Sequence, residues 1–242
     1  MSNAETPMIP RPPGRLAQLG EIRVLREPLR LALRTPKLRR RTRNPTTVIA
    51  IPGFGANDLS NLPLRAYLQS IGHRPRGWGL GTQGKDLADS RDSFIGVVDR
   101  VVERIGEPVA LVGWSLGGIV ARETARERPE LVSQVITYGS PFGGPRFTGV
   151  SGIYDPAELS VVDALIDEAE QRPMTRPITA IHSKRDGVVD WRSCLDRRSE
   201  LAENIEVSSS HVGLGIDPDV WGIIADKLEN PPARRVPEGQ RS

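Results

Sequence analysis

The stretch Val112-Gly113-Trp114-Ser115-Leu116-Gly117-Gly118 decides how the rest of this chain is read. Ahead of it lies an apolar, β-branched segment, Val109 to Val112, and after it a helix-favouring segment, Ile119 to Arg128. A Gly-x-Ser-x-Gly pattern between strand and helix puts the serine in a tight turn. The glycines let the backbone bend and the helix approach the strand with no Cβ in the way. The hydroxyl then stands clear of the sheet edge, at a helix N-terminus where developing negative charge is favoured. Without that context the same five residues would be an ordinary glycine-rich turn, so the context is what makes Ser115 a candidate nucleophile.

Working outward, Thr46 to Ile51 reads as a buried parallel strand. It ends in Pro52-Gly53-Phe54-Gly55-Ala56, whose small residues leave backbone N–H groups open to a ligand. Asp58 or Ser60 is expected to cap a helix running to about Ser70. A short strand is expected over His73 to Trp78. Asp89 and Ser90 should begin a helix in which Phe94, Val97, Val98, Val101, Val102 and Ile105 keep helical spacing, with Gly106 as its end. Leu131 to Tyr138, Ile178 to His182 and Asn204 to Val207 read as further strands. Asp217-Pro218 opens a closing helix with Val220, Ile223, Ile224 and Leu228 on one face.

Strand and helix in this alternation predict an α/β fold, a doubly wound and mostly parallel sheet with helices on both faces. The expected organisation is a basic, partly disordered or helical arm over 1–45, a main domain over 46–229 and a loose tail over 230–242. An insertion over 147–177, with an amphipathic helix near Leu159 to Ala169, falls on the carboxyl side of the sheet, where ligands bind in open α/β sheets. It is the candidate cap over Ser115.

Composition bounds the function. The 242 residues suit one α/β domain, and 24 glycines with 21 prolines suit many short connections. Cys194 is the single cysteine, which excludes an intrachain disulfide and a cysteine-based metal cluster. The net charge of +3 hides an asymmetry. Residues 1–46 carry eleven basic and three acidic side chains, so the arm is strongly basic and the remainder is acidic. Arg15 to Arg34, broken by Pro28, has two readings: an arm that touches a membrane surface or an anionic partner, or helices that pack their leucines on the domain. The short, interrupted apolar face favours the second. Arg39-Arg40-Arg41 is too short a run, without interleaved aromatics, to indicate nucleic acid. No apolar run approaches a membrane span, and Met1 to Gly14 is polar and proline-rich rather than signal-like. A cytoplasmic location is expected, with the arm as the point of any peripheral membrane contact.

A serine hydroxyl needs a base, and the base needs an orienting acid. Of His73, His182 and His211, the last sits in Ser208-Ser209-Ser210-His211-Val212-Gly213, a small-residue loop between the last strand and the last helix, and is the best candidate base. His182 is better placed to line a site, and His73 reads as a loop histidine. The acid should leave the end of a strand between serine and histidine. Asp186, followed by Gly187, fits first and Asp190 second. Two backbone donors must face the oxyanion. The N–H of Leu116 is one; that of Phe54 is the first candidate for the other, and that of Gly55 the next.

With these residues in view, the chain from about Thr46 to Leu228 resembles the α/β-hydrolase family, and within it bacterial esterase- and lipase-like proteins. The resemblance rests on the order Ser115, Asp186, His211, on Pro52-Gly53-Phe54-Gly55 in the place of the His-Gly oxyanion loop, on Tyr138-Gly139-Ser140-Pro141 and on the Ser-His-Val-Gly around His211. Proline stands before Gly53 where the commonest lipase pattern has histidine. The resemblance implies hydrolysis of carboxylic esters through an acyl-enzyme; no cofactor is expected, and although the lipase resemblance allows a structural calcium, no acidic cluster is spaced like a calcium loop, so no metal is expected. The substrate is expected to be a small-molecule or lipid ester, with Gly55, Trp78, Trp114 and Phe142 at an apolar acyl site. Each aromatic equally suits core filling. An acyltransferase on the same fold, or a non-catalytic binding protein that keeps it, remains the alternative.

Overall fold

In the computed structural model, which describes residues 12–14, 21, 41–84, 86–149, 151–153 and 155–232, the apolar runs become a single sheet. Its strands are β1 (Thr47–Ile51), β2 (Arg74–Gly77), β3 (Val109–Trp114), β4 (Val132–Tyr138), β5 (Ile178–Ser183) and β6 (Ala202–Val207). They lie in the order β2-β1-β3-β4-β5-β6, and every neighbouring pair is parallel. The helices are α1 (Leu62–Ser70), α2 (Leu87–Ile105), α3 (Leu116–Glu127), α4 (Pro156–Glu170) and α5 (Pro218–Glu229). This is the doubly wound α/β architecture that the alternation predicts. Among the described residues no helix is long and apolar enough to cross a membrane.

The order explains which face each helix covers. The step from β1 to β2 runs one way across the sheet, and every later step runs the other way. Right-handed crossovers therefore put α1 on one face and α2, α3 and α4 on the opposite one. Packing follows suit. Ile49, Ile51 and Leu111 share a buried cluster with Phe94 and Val98 of α2, Ile119 and Val120 of α3, and Ile166 of α4. On the other face Val48, Val112 and Ile136 meet Leu64 and Leu68 of α1 and Ile224 of α5. Tyr67 of α1 stacks on Trp221 of α5 with ring centroids 5.2 Å apart, closing that face.

Strands covered on both faces are buried along almost their whole length, and the edge strands are not. β1 and β5 are buried at every residue, whereas β2 reads Arg-Pro-Arg-Gly and β6 reads Ala-Glu-Asn-Ile-Glu-Val. Pro75 is tolerated because it lies at an edge.

Three helix starts differ from the sequence reading, and each difference has a visible cause. Asp58 and Ser60 do not cap α1. Asn61 occupies that position without a side-chain cap bond, while Asp58 turns away to accept from the Trp78 and Gly79 N–H groups at 2.8 and 3.1 Å. α2 begins at Leu87, because Asp86 caps it by accepting from Asp89 N–H at 2.9 Å. α4 begins at Pro156, ahead of Leu159, because Asp155 and Glu158 close a reciprocal capping box. Asp217 caps α5 as expected, accepting from Asp219 N–H. The chain entering β1 is already held at Thr42: its N–H donates to Ile71 O at the end of α1, and its hydroxyl donates to Glu229 at the end of α5. The expected helices over Arg15 to Arg34 and the tail beyond Pro232 lie outside the described residues, Glu21 apart.

Glycine is required where α3 meets the sheet. A Cβ on Gly113 would lie 2.4 Å from Gly117 O and 2.5 Å from Gly118 Cα, and one on Gly117 would lie 2.3 Å from Pro52 O. We expect Gly113→Ala to lower unfolding stability by about 2–3 kcal/mol in urea denaturation. Gly96→Ala, in mid-helix with only the tip of Arg100 at 3.5 Å, should raise it by about 0.5–1 kcal/mol.

Candidate active site

β1 and β3 are neighbours at the centre of the sheet, yet the chain leaves β1 toward β2 on one side and leaves β3 toward β4 on the other. The loops at their carboxyl ends diverge and leave a crevice, which is where open α/β sheets hold ligands. The loop after β1 is Pro52-Gly53-Phe54-Gly55, and the residue after β3 is Ser115. The two meet: a Cβ on Gly53 would lie 3.2 Å from Ser115 Cβ.

Ser115 is the one non-glycine with positive φ among the described residues, at φ 53° and ψ −123°. Such a conformation costs on the order of 1–3 kcal/mol and persists only where its surroundings enforce it. Here they do. Ser115 N–H donates to Tyr138 O at 3.0 Å, and Gly118 N–H donates to Ser115 O at 3.0 Å, so the residue is fixed between the end of β4 and the first turn of α3.

Asp186 follows β5, and His211 follows β6. His211 Nδ1 lies 2.7 Å from Asp186 Oδ2, with both side chains buried. A carboxylate can only accept, so Nδ1 carries the proton and Nε2 presents its lone pair. The other carboxylate oxygen accepts from Val188 and Val189 N–H at 2.9 and 2.7 Å, which fixes the acid. Asp190, the second candidate, is engaged elsewhere: it caps the short turn Trp191–Cys194 by accepting from Arg192 N–H. The imidazole approaches the serine turn from the β4 side. Trp114 Nε1–H donates to His211 O at 3.3 Å, the Trp114 and His211 rings lie 5.6 Å apart, and a Cβ on Gly139 would come within 3.1 Å of the imidazole.

Leu116 begins α3, so its N–H has no acceptor within the helix. Gly55 N–H donates to Gln83 O at 2.9 Å and Ala56 N–H to Gly53 O, which removes Gly55 as a donor and leaves Phe54. The Phe54 side chain is 42% exposed. Trp114 is half-buried beside His211. Trp78 is in the core instead, packed in the same cluster as Ile49 and Phe94, with its Nε1–H donating to Gly81 O at 2.8 Å. Phe142 lies beneath the Arg122 guanidinium, 4.6 Å from its ring centroid, and lines a cavity of about 420 Å³ with Phe147 and Ile166. Ser115 and His211 are not among the residues lining that cavity. Ser183, which carries no signal in the sequence, ties the loop of Asp186 to the loop of His211 by donating to Ser209 O and accepting from Ser209 N–H. Glu21, equally without a signal, reaches the same loops. Among the described residues no three His, Cys, Asp or Glu side chains are grouped as metal ligands.

Residues 23–236 match the family model described as the alpha/beta hydrolase family. This chain belongs to that family. A pimeloyl-[acyl-carrier protein] methyl ester esterase of Aliivibrio salmonicida is 32% identical over 105 residues, a match covering 43% of this chain and 39% of that protein. The match therefore spans well under half of the relative. Two solved alpha/beta structures share the fold at low identity. A Bacillus licheniformis lipase in mature form superposes with TM-score 0.61 at 13% identity, covering 78% of this chain and 93% of its own. Est1E from Butyrivibrio proteoclasticus, solved with ferulic acid bound, gives 0.61 at 15% identity, covering 79% and 90%.

The other titratable candidates of this alpha/beta hydrolase are held in neutral form. His73 Nδ1 accepts from Thr46 N–H at 3.3 Å, and burial, with a smaller push from Arg74, lowers its pKa below 6.5. Burial likewise lowers the pKa of His182, whose ring stacks on Trp191 at 5.7 Å. The Cys194 thiol is pushed up by burial and by the nearby Asp186 and Asp190, which keeps it protonated and unreactive. For both histidines the unfolded chain binds protons first as pH falls below 6.5, so their contribution to stability is complete above that value. It is lost as pH drops through the depressed folded values. Urea midpoints measured across this range should decline less steeply in His73→Gln and His182→Gln than in the unaltered protein.

Proposed function

We propose that this alpha/beta hydrolase cleaves carboxylic esters through a serine-bound acyl intermediate, with Ser115 as nucleophile, His211 as base and Asp186 as the orienting acid. The observation that carries the reading is the Asp186–His211 contact of 2.7 Å, made beside a serine held at φ 53°. Together these supply a fixed tautomer and a serine held in a strained turn, the two things an unactivated serine lacks.

Ser115 Oγ attacks the ester carbonyl as its proton passes to His211 Nε2, and the carbonyl electron pair moves onto oxygen. The Leu116 and Phe54 N–H groups face that oxyanion, each such donor contributing about 3 kcal/mol. Collapse breaks the bond to the leaving alcohol, which takes the proton from Nε2. Water then repeats the sequence on the acyl-enzyme and releases the acid. None of these steps draws on a metal or an organic cofactor.

The substrate class we propose is an acyl ester, carrier-bound or lipid. Support comes from the methyl ester esterase relative and from the exposed Phe54 and half-buried Trp114 at the mouth of the crevice. The segment 147–177, carrying α4, would act as the cap, and the protein would work in the cytoplasm with the basic arm as any membrane contact.

A fluorophosphonate should label the protein at Ser115 and not label Ser115→Ala. His211→Ala should abolish turnover of short-chain esters, and Asp186→Asn should lower kcat by about 10⁴-fold, because the wrong tautomer then faces the serine. Labelling that persists in Ser115→Ala would overturn the assignment. Added alcohols that capture most of the acyl group would move the reading to acyl transfer.

A further inference from the structure

We infer that Glu21, far upstream of the catalytic elements, is a positioning residue that locks the acid loop to the base loop. Its carboxylate is the acceptor for three backbone donors drawn from both loops. Oε1 accepts from Gly187 N–H at 2.8 Å and from His211 N–H at 2.9 Å, and Oε2 accepts from Val212 N–H at 3.0 Å. Gly187 is the residue after Asp186, and Val212 is the residue after His211.

The sharing of Oε1 is the important point. One oxygen holds the backbone beside the acid and the backbone of the base at once, so the two loops cannot separate without breaking a charge-assisted bond. His211 is thereby held at both main-chain groups, its N–H by Glu21 and its carbonyl by Trp114 Nε1–H at 3.3 Å. With the backbone fixed, little freedom is left to the imidazole beyond the orientation that meets Asp186 Oδ2. Ser183 and Ser209 make a second clasp between the same loops, but two residues back from the base on that side. Glu21, unlike that clasp, bonds the main chain of the base itself.

This inference rests on the hydrolase reading for its kinetic consequence, and on geometry alone for its structural one. The full-length Glu21→Ala protein should lose roughly ten- to a hundredfold in kcat on a p-nitrophenyl ester, with KM unchanged, since a small misplacement of a base has effects of that size. Glu21→Gln keeps an oxygen that can take the Gly187 and His211 donors and should restore most of the rate. In proton NMR, the low-field His211 Nδ1–H signal, assigned by its loss in Asp186→Asn, should broaden or vanish in Glu21→Ala and persist in Glu21→Gln. An Ala variant with the kcat and low-field signal of the unaltered protein overturns the inference. So does a Gln variant as impaired as Ala at the same melting temperature. An unaltered protein that neither turns over esters nor takes the fluorophosphonate sinks the hydrolase reading instead, and the proton signal then still decides the role of Glu21.

Discussion

The structure depends on how closely the first turn of α3 can approach the ends of β1 and β3. Gly113 and Gly117 have main-chain atoms where any other residue would need room for a side chain. The short distance drives the chain from strand into helix within one residue, and Ser115 takes up the whole change of direction in its positive φ. Backbone strain is concentrated at that one position, at the carboxyl end of β3. The core on either side serves to hold the two strands in the register that makes the turn unavoidable.

Much of this was readable from residue order. The central strands are mostly apolar because they are covered on both faces, and the helical spacing of Phe94, Val98 and Ile105 marks α2 clearly. The serine turn was legible because its glycines sit at the two points of closest approach. What the sequence did not reveal was which of several similar groups finds which partner. Asp186 ranks ahead of Asp190 as the candidate acid because Gly187 follows it, but only the backbone shows Asp190 engaged with Arg192 N–H. Asp58 looks like a helix cap, but the Trp78 and Gly79 N–H groups lie within its reach and compete for it. Trp78, in a glycine-rich stretch, reads as acyl-site lining or as core filling, and it is in the core. Glu21 left no local signal, since its three donors lie more than 160 positions away.

The helix behind the serine also departs from ordinary amphipathic patterning. α3 is buried nearly all round, yet it carries Arg122, Glu123 and Arg126. Buried charge is tolerated only when paired. Arg122 meets Asp196 at 3.0 Å, with both side chains almost fully enclosed, and Arg126 pairs with Glu123 one turn away. Replacement of those residues by apolar ones of similar volume could leave stability intact, whereas removal of a single partner would strand its charge. The Arg122–Asp196 pair also ties the helix that follows Ser115 to the segment between β5 and β6, so the halves of the sheet that carry Ser115 and Asp186 share a buried ionic link.

The proline in β2 carries a further meaning for the molecule in a crowded solution. Arg74 N–H points inward to Thr46 O, so the next residue along presents its nitrogen outward. At that outward position stands Pro75, which has no hydrogen to offer. A stray extended peptide, or the border of a second molecule, meets a rim with a missing rung between two arginines, Arg74 and Arg76. Growth of the sheet into a chain of stacked copies is blocked there by the lack of one hydrogen atom.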